Sequence, residues 1–268
     1  MNARIPTEIQ PLISDFKDLL QSKLPNAVLG FYLQGSIALR GFNKKRSDID
    51  FLIVVNHELT AGELSIIRDI HEELKQKHEY YMVMEGQYTT LGHLDKTIKK
   101  PQELYPNYFY GEYMGLRNGW IDPTSLWITK YHGISVLGPD VNEINIQVDW
   151  DDLLLAMKYN LHSYWTDKVK DYTIFLQDDW VVDTVLTLGR ILYTLQNKEM
   201  ITKEQGGYYL LAVMTNEWHS LINEALRIRE GSELEMGFES IEERALHTLR
   251  FVLHIIDLCN EKYQLRTT

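Results

Sequence analysis

Asp48 and Asp50 stand two residues apart in the segment SDIDFLIVV, where the rest of the run is β-branched and apolar. A strand alternates its side chains between two faces, so both carboxylates fall on the same one. Two neighbouring carboxylates repel, which raises the pKa of one of them or calls for a cation. Oxygen-only donors suit a hard ion, and magnesium is the expectation.

Upstream of the pair, AVLGFYLQG runs into Gly35 and Ser36, and the loop between carries Lys44, Lys45 and Arg46. Glycine permits close backbone approach, and exposed N–H groups with a serine hydroxyl can receive phosphate oxygens. Gly35, Ser36, Arg46 and Ser47 are therefore the candidates for holding a nucleotide. A metal ion shared with nucleotide phosphates would align an attacking hydroxyl with the α-phosphorus and neutralise the departing pyrophosphate. Either fragment alone reads as a turn or a solvated strand end; their ordered combination points to chemistry.

The elements that must position these residues follow from hydrophobic spacing. Ile9, Leu12, Ile13, Phe16, Leu19 and Leu20 predict an opening amphipathic helix over 7–22, with Thr7 available as its cap. AVLGFYL and IDFLIVV predict strands. Thr60 with Glu63 predicts a capping box at the start of a helix, and EYYMVMEGQYTTL a strand directly after it. ISVLGPD closes this unit, with a boundary near 145–150. From Trp150 the pattern is helical over 150–168, 178–197, 203–229 and 239–263. Thr202 and Gln205 form one possible cap, Ser240 and Glu243 another, and Ile241, Leu246, Leu249, Leu253 and Ile256 mark one side of the last helix. The expectation is an α+β chain: a mixed sheet with helices over residues 1–148, then an α-helical bundle over 149–268.

Composition narrows the partners. The chain has 268 residues and a net charge of −11, which disfavours DNA as a partner and suits a small cationic one. No run approaches a membrane span or a signal peptide, so the expected location is the cytoplasm. Cys259 is the only cysteine, spaced as a core residue, and it rules out an internal disulfide. Monomer or weak oligomer is expected.

Gly-Ser, a loop of about ten residues, then Asp-x-Asp opening an apolar strand resembles the signature of the polymerase-β-like nucleotidyltransferase superfamily. The resemblance extends across most of the chain to the spectinomycin/streptomycin (aminoglycoside) adenylyltransferases, which carry an N-terminal transferase domain and a C-terminal helical domain. It implies magnesium-dependent transfer of AMP from ATP to a hydroxyl of an aminoglycoside-type antibiotic, with release of pyrophosphate.

By the same resemblance, YMVMEGQYTTL is the strand supplying a third carboxylate, so Glu85 becomes the candidate general base and third metal ligand beside Asp48 and Asp50. VLTLGRILYTL and ITKEQGGYYLL are similar to the helical segments that complete the family's ATP site, which implicates Arg190 and Lys203. QDDWVVD corresponds to the acidic stretch that contacts a cationic drug, which implicates Asp179 and Asp183. The surroundings fit: from Asp149 to Asp183 there are eight aspartates and three lysines. Tyr113 stands at the family's drug-stacking tryptophan. Trp180 could stack on a sugar or pack between helices. The motif carries no acceptor information, so adenylylation of a protein or another metabolite, or a catalytically silent nucleotide-binding regulator, are the other readings of the same residues.

Overall fold

The computed structural model describes residues 2–95, 104–119, 121–233 and 235–265. The chain divides into two compact units, residues 1–149 and 150–268, one residue past the boundary expected from the sequence.

The first unit is built on a six-stranded mixed sheet of order β5-β4-β3-β2-β1-β6. Its elements are α1 (Gln10–Lys23), β1 (Val28–Leu33), α2 (Gly35–Ala38), β2 (Ile49–Val55), α3 (Ala61–Lys77), β3 (Met84–Thr90), α4 (Leu91–Leu94), β4 (Leu104–Phe109), β5 (Glu112–Asn118), α5 (Pro123–His132) and β6 (Ile134–Leu137). β2 and β3 are parallel and joined through α3, while every other pair is antiparallel.

Strand alternation sends the odd residues of β2 (Phe51, Ile53, Val55) into a core with Phe31 and Leu33 of β1 and with Phe16, Leu20, Ile67, Ile70 and Leu74 of α1 and α3. Each such burial is worth about 1.5–3 kcal/mol, so the register is pinned from this side. Tyr32, Leu52 and Val54 face the other way, into a smaller core with Leu126, Val141, Ile146 and Val148. The even residues of β2 therefore run from Asp50 at an open end into apolar cover.

α3 begins with the expected capping box: the Thr60 hydroxyl accepts from the Glu63 N–H, and Glu63 returns a carboxylate to the Thr60 N–H. Three readings of this unit need correction. Thr7 does not cap the first helix; it lies inside a 3-10 turn, Thr7–Ile9, that precedes α1. Residues 79–83 are 3-10 helix, so the strand starts at Met84. The β4–β5 hairpin was not foreseen, because Pro106 interrupts β4 and the turn residues Tyr110 and Gly111, both at positive φ, lack the usual Asn-Gly pair.

The second unit is all helix. α6 (Trp150–Tyr159) continues through a π-helical stretch (Asn160–Trp165) into α7 (Thr166–Lys168), followed by α8 (Asp178–Asn197), α9 (Lys203–Val213), α10 (His219–Glu230) and α11 (Ile241–Tyr263). The single helix expected over 203–229 is two helices, broken at Met214–Trp218 without any glycine or proline to mark the break.

In α11 the expected stripe is the wrong one. Ile241, Leu246 and Leu253 are exposed, and the buried side carries Arg244, Ala245, Thr248, Phe251, Val252, Ile255 and Cys259. Ser240 does cap the helix, but the Glu243 carboxylate takes the Glu239 N–H. Arg244, 2 % exposed, explains the inverted stripe: it pairs with Asp178 at 2.7 Å and Glu224 at 3.3 Å and donates to the Leu176 carbonyl. Glu224 also receives a two-pronged pair from Arg227 at 2.8 Å. Burial alone would raise the Glu224 pKa; the two guanidiniums outweigh it and hold the carboxyl below its ordinary value.

Candidate active site

Asp48 is the residue before β2 and Asp50 the second residue within it. The parallel β2–β3 register sets Glu85 directly beside Asp50. One carboxylate oxygen from each of Asp48, Asp50 and Glu85 lies within 4.8 Å of the other two, and all three residues are half-buried. The donor set is purely oxygen and compact enough for one hard cation to touch every member. Glu85 is pushed up to about 7, first by burial and then by the charge of Asp48. A carboxyl held there carries a proton part of the time at neutral pH and releases it when a cation compensates.

Gly35 is required beneath this cluster. Its φ is +58°, in the left-handed region, and a Cβ built on it would lie 1.8 Å from Asp50 Oδ2. The backbone thus passes against the carboxylate, and the next residue, Ser36, lies in the first turn of α2 with its hydroxyl buried and unpartnered among the described residues. Such an orphan is unfavourable unless a ligand answers it. Gln34 anchors the junction: its N–H donates to the Asp50 carbonyl, and its side-chain oxygen accepts from the Thr129 hydroxyl at 2.6 Å.

Ser47 shapes the turn that precedes β2. It is buried, and its hydroxyl accepts from the Asn43 N–H at 2.9 Å, closing the turn that delivers Asp48. Arg46 is exposed on that turn with Lys44 and Lys45.

Beside the carboxylates an open cavity of about 500 Å³ is lined by Asp50 and Glu85 together with Gln34, Gln87, Asn107, Phe109, Met114, Arg117, Asn118 and Ser125, among others. Sequence reading found only the two acids in this set. Gln87 shares the face of Glu85 by strand alternation and pairs across the sheet with Asn107, whose amide donates to Gln87 Oε1 at 3.4 Å. Asp122, also in the wall, accepts from the Thr124 and Ser125 N–H groups as the cap of α5.

Tyr113 is not brought to this cavity. It pairs with Tyr108, ring centroids 5.5 Å apart, and Tyr108 stacks at 3.6 Å on His71 in the helix-covered core. Cross-strand partners share a face, so Tyr113 stands beside Tyr108; the aromatic residues in the described cavity lining are Tyr108 and Phe109. His71 itself is fully buried, between the hydroxyls of Tyr81 and Tyr88 at 2.9 and 3.0 Å, and burial drops its pKa to about 3, so it is a neutral part of the core.

The remaining candidates stand in the second unit. α8 and α9 meet backbone to backbone: a Cβ on Gly189 would lie 2.5 Å from the Gly206 carbonyl oxygen, and one on Gly206 2.9 Å from the Arg190 nitrogen. These glycines account for the LGR and QGG spacing and put Arg190 at the crossing. Lys203 is the first residue of α9, behind a complete Thr202/Gln205 capping box. It bonds Asp183 at 2.7 Å, so the candidate phosphate ligand and one candidate drug ligand hold each other. Asp179 is exposed in the first turn of α8. Trp180 is half-buried, with the Lys168 ammonium 4.7 Å from its ring centre.

A sheet bearing three clustered carboxylates after a Gly-Ser turn defines a nucleotidyltransferase, and the nucleotidyltransferase domain family matches residues 13–99. The aminoglycoside adenylyltransferase C-terminal domain matches residues 144–252, and the chain is a nucleotidyltransferase similar to the aminoglycoside adenylyltransferases. It is 23% identical over 259 residues to spectinomycin 9-adenylyltransferase of Campylobacter jejuni, spanning 92% of this chain and 93% of the relative. It is 24% identical over 277 residues to the Staphylococcus aureus (strain Mu50) protein of the same name, spanning 96% and 97%. The fold is shared with spectinomycin adenyltransferase of Enterococcus faecalis, solved with ATP and spectinomycin: TM-score 0.67, 20% identity, 92% of this chain and 98% of that one. Among the described residues no helix is long and apolar enough to cross a membrane.

Proposed function

We propose that this enzyme transfers AMP from ATP to a hydroxyl of spectinomycin or a related aminoglycoside-type acceptor, releasing pyrophosphate. The observation that carries the reading is the gathering of Asp48, Asp50 and Glu85 within 4.8 Å at the mouth of a cavity large enough for a small acceptor. The names of the relatives supply the acceptor class.

Asp48 and Asp50, with Glu85, would hold magnesium, which when bound supplies charge neutralisation at the α-phosphate and the leaving pyrophosphate. The Ser36 hydroxyl and the first backbone N–H groups of α2 receive phosphate oxygens, and Arg46 adds positive charge nearby. Glu85 faces the cavity with its carboxyl at about 7, which suits a group that takes a proton from the acceptor hydroxyl at neutral pH. Arg190 and Lys203 serve the nucleotide, and Asp179 and Asp183 a cationic group of the acceptor. The Lys203–Asp183 pair then has a simple meaning: each side chain neutralises the other until phosphate and ammonium take their places.

The test is mass spectrometry of spectinomycin and an aminoglycoside panel after incubation with enzyme, magnesium and ATP, with pyrophosphate followed in parallel. An adduct of one AMP on spectinomycin is the expected product. Absence of both adduct and pyrophosphate across the panel would overturn the reading.

A further inference from the structure

We propose that Gln34 is a catalytic residue for the pyrophosphate that leaves: its amide N–H donates to the oxygen shared by the α- and β-phosphorus of ATP, where negative charge develops as the bond to the α-phosphorus breaks. This rests on the transferase reading above and adds a donor on the leaving side of the reaction.

Strand order gives the placement. The Leu33–Phe51 pair of β1 and β2 continues to Gln34 opposite Asp50, and the Gln34 N–H donates to the Asp50 carbonyl at 3.0 Å. Cross-strand partners share a face, and Gln34 and Asp50 both line the cavity. β3 carries Glu85 on the other side of Asp50. Gln34 and Glu85 therefore flank Asp50 with about 4.8 Å between neighbouring strands. In-line displacement sets the attacking and leaving oxygens on opposite sides of the phosphorus. With the acceptor hydroxyl at Glu85, the leaving oxygen falls toward Gln34, and the freed pyrophosphate toward Gly35 and Ser36, the next residues along the chain.

The orientation of the amide follows from a distance. The Gln34 side chain is 9 % exposed and is held at one end by the Thr129 hydroxyl, 2.6 Å away. That length belongs to an O–H···O bond and is short for N–H···O, so Gln34 Oε1 faces Thr129. The same hydroxyl lies 2.8 Å from the Ser125 carbonyl, which already receives the Thr129 N–H within α5 and does not depend on the hydroxyl proton.

The two amide N–H groups are thereby turned away from Thr129. They meet no acceptor among the described residues and are open to the cavity. Fixed donors without a partner, beside the reacting phosphate, are what a developing oxyanion calls for. A lysine here would pair with Asp50 in the resting enzyme; a neutral amide stays available.

The experiment follows single-turnover AMP transfer to spectinomycin from ATP and from β,γ-methylene-ATP, whose leaving group is more basic. Wild type, Gln34→Met and Thr129→Val are compared, with calorimetric ATP affinity for each. Gln34→Met keeps the length of the side chain and removes its donors. Transfer from ATP should slow about 10²-fold, the worth of one donor to a developing oxyanion, with ATP affinity nearly unchanged. The loss should be larger with the methylene-bridged nucleotide, because a more basic leaving oxygen depends more on the missing donor. Thr129 acts as a positioning residue, so Thr129→Val should move the rate and the ratio of the two rates in the same direction by less. That ratio is read within one variant and does not depend on how much of it is folded; should Gln34→Met yield no folded protein, Thr129→Val decides. A ratio equal to that of wild type, whatever the rates, would overturn the proposal and leave the AMP-transfer reading intact. Failure of the wild type to form any AMP adduct would overturn that reading and this inference with it.

Discussion

The two units treat their buried charge in opposite ways. In the helical unit Glu224 is more deeply buried than Glu85, yet it lies between Arg227 and Arg244 and its carboxyl is held below the ordinary value. In the sheet unit Glu85 has Asp48 for its charged neighbour and is pushed up to about 7. One cluster sets its acid between two arginines; the other sets three carboxylates against one another and would be stabilised by a cation. Burial alone does not decide which way a buried acid shifts. The sign of the neighbouring charge does.

Removing a member of the carboxylate cluster should have the largest effect. Asp48→Asn or Asp50→Asn should lower AMP transfer by about 10³-fold or more, as loss of preorganised electrostatics at a reacting phosphate does, with no loss of melting temperature because repulsion is relieved. A steady-state transfer assay beside a melting curve checks both halves. Glu85→Gln should slow transfer by about 10²–10⁴-fold and leave ATP binding measurable by calorimetry, since the base is lost and the Ser36 region is intact.

Arg244→Ala inverts the pattern. It takes one of two guanidiniums from Glu224, unpairs Asp178 and the Leu176 carbonyl from a buried site, and should cost about 3–5 kcal/mol in denaturant unfolding, with turnover per folded molecule unchanged. Equal losses of stability in Arg244→Ala and Asp50→Asn would erase the distinction between the clusters.

The smallest effect is a pH dependence. The Glu85 pKa is raised on folding, so its protonated form favours the native state. That contribution is complete below the ordinary carboxylate range and is lost as pH rises through about 7. Without divalent metal, the melting temperature should fall between pH 6 and pH 8; magnesium with ATP should restore it, and Glu85→Gln should flatten the profile.

The legibility of these features followed their distance along the chain. Gly35-Ser36 and Asp48/Asp50 were visible because one short loop joins two strands whose alternation fixes the geometry. Glu85 entered only by resemblance, since its place beside Asp50 depends on a parallel register set by α3. Asn107, Phe109 and Arg117 were invisible because a hairpin pairing with β3 brings them in, and neither Pro106 nor the Tyr110-Gly111 turn announces a hairpin. Tyr113 entered by resemblance, and its place across from Tyr108 follows from the same hairpin. The stripe of α11 was misread because aliphatic residues were taken for the buried side, while the buried side is organised around an arginine. Local pattern carried the elements; which charges met across them was decided by packing.

Whether Asp48, Asp50 and Glu85 together hold a divalent cation is decided by calorimetric titration of magnesium into the ATP-bound enzyme at pH 7 in buffers of different ionisation heat. Saturable binding with proton release from Glu85 is expected, both lost in the Asp48→Asn/Asp50→Asn double variant. Equal magnesium binding and equal proton release in wild type and double variant would contradict it.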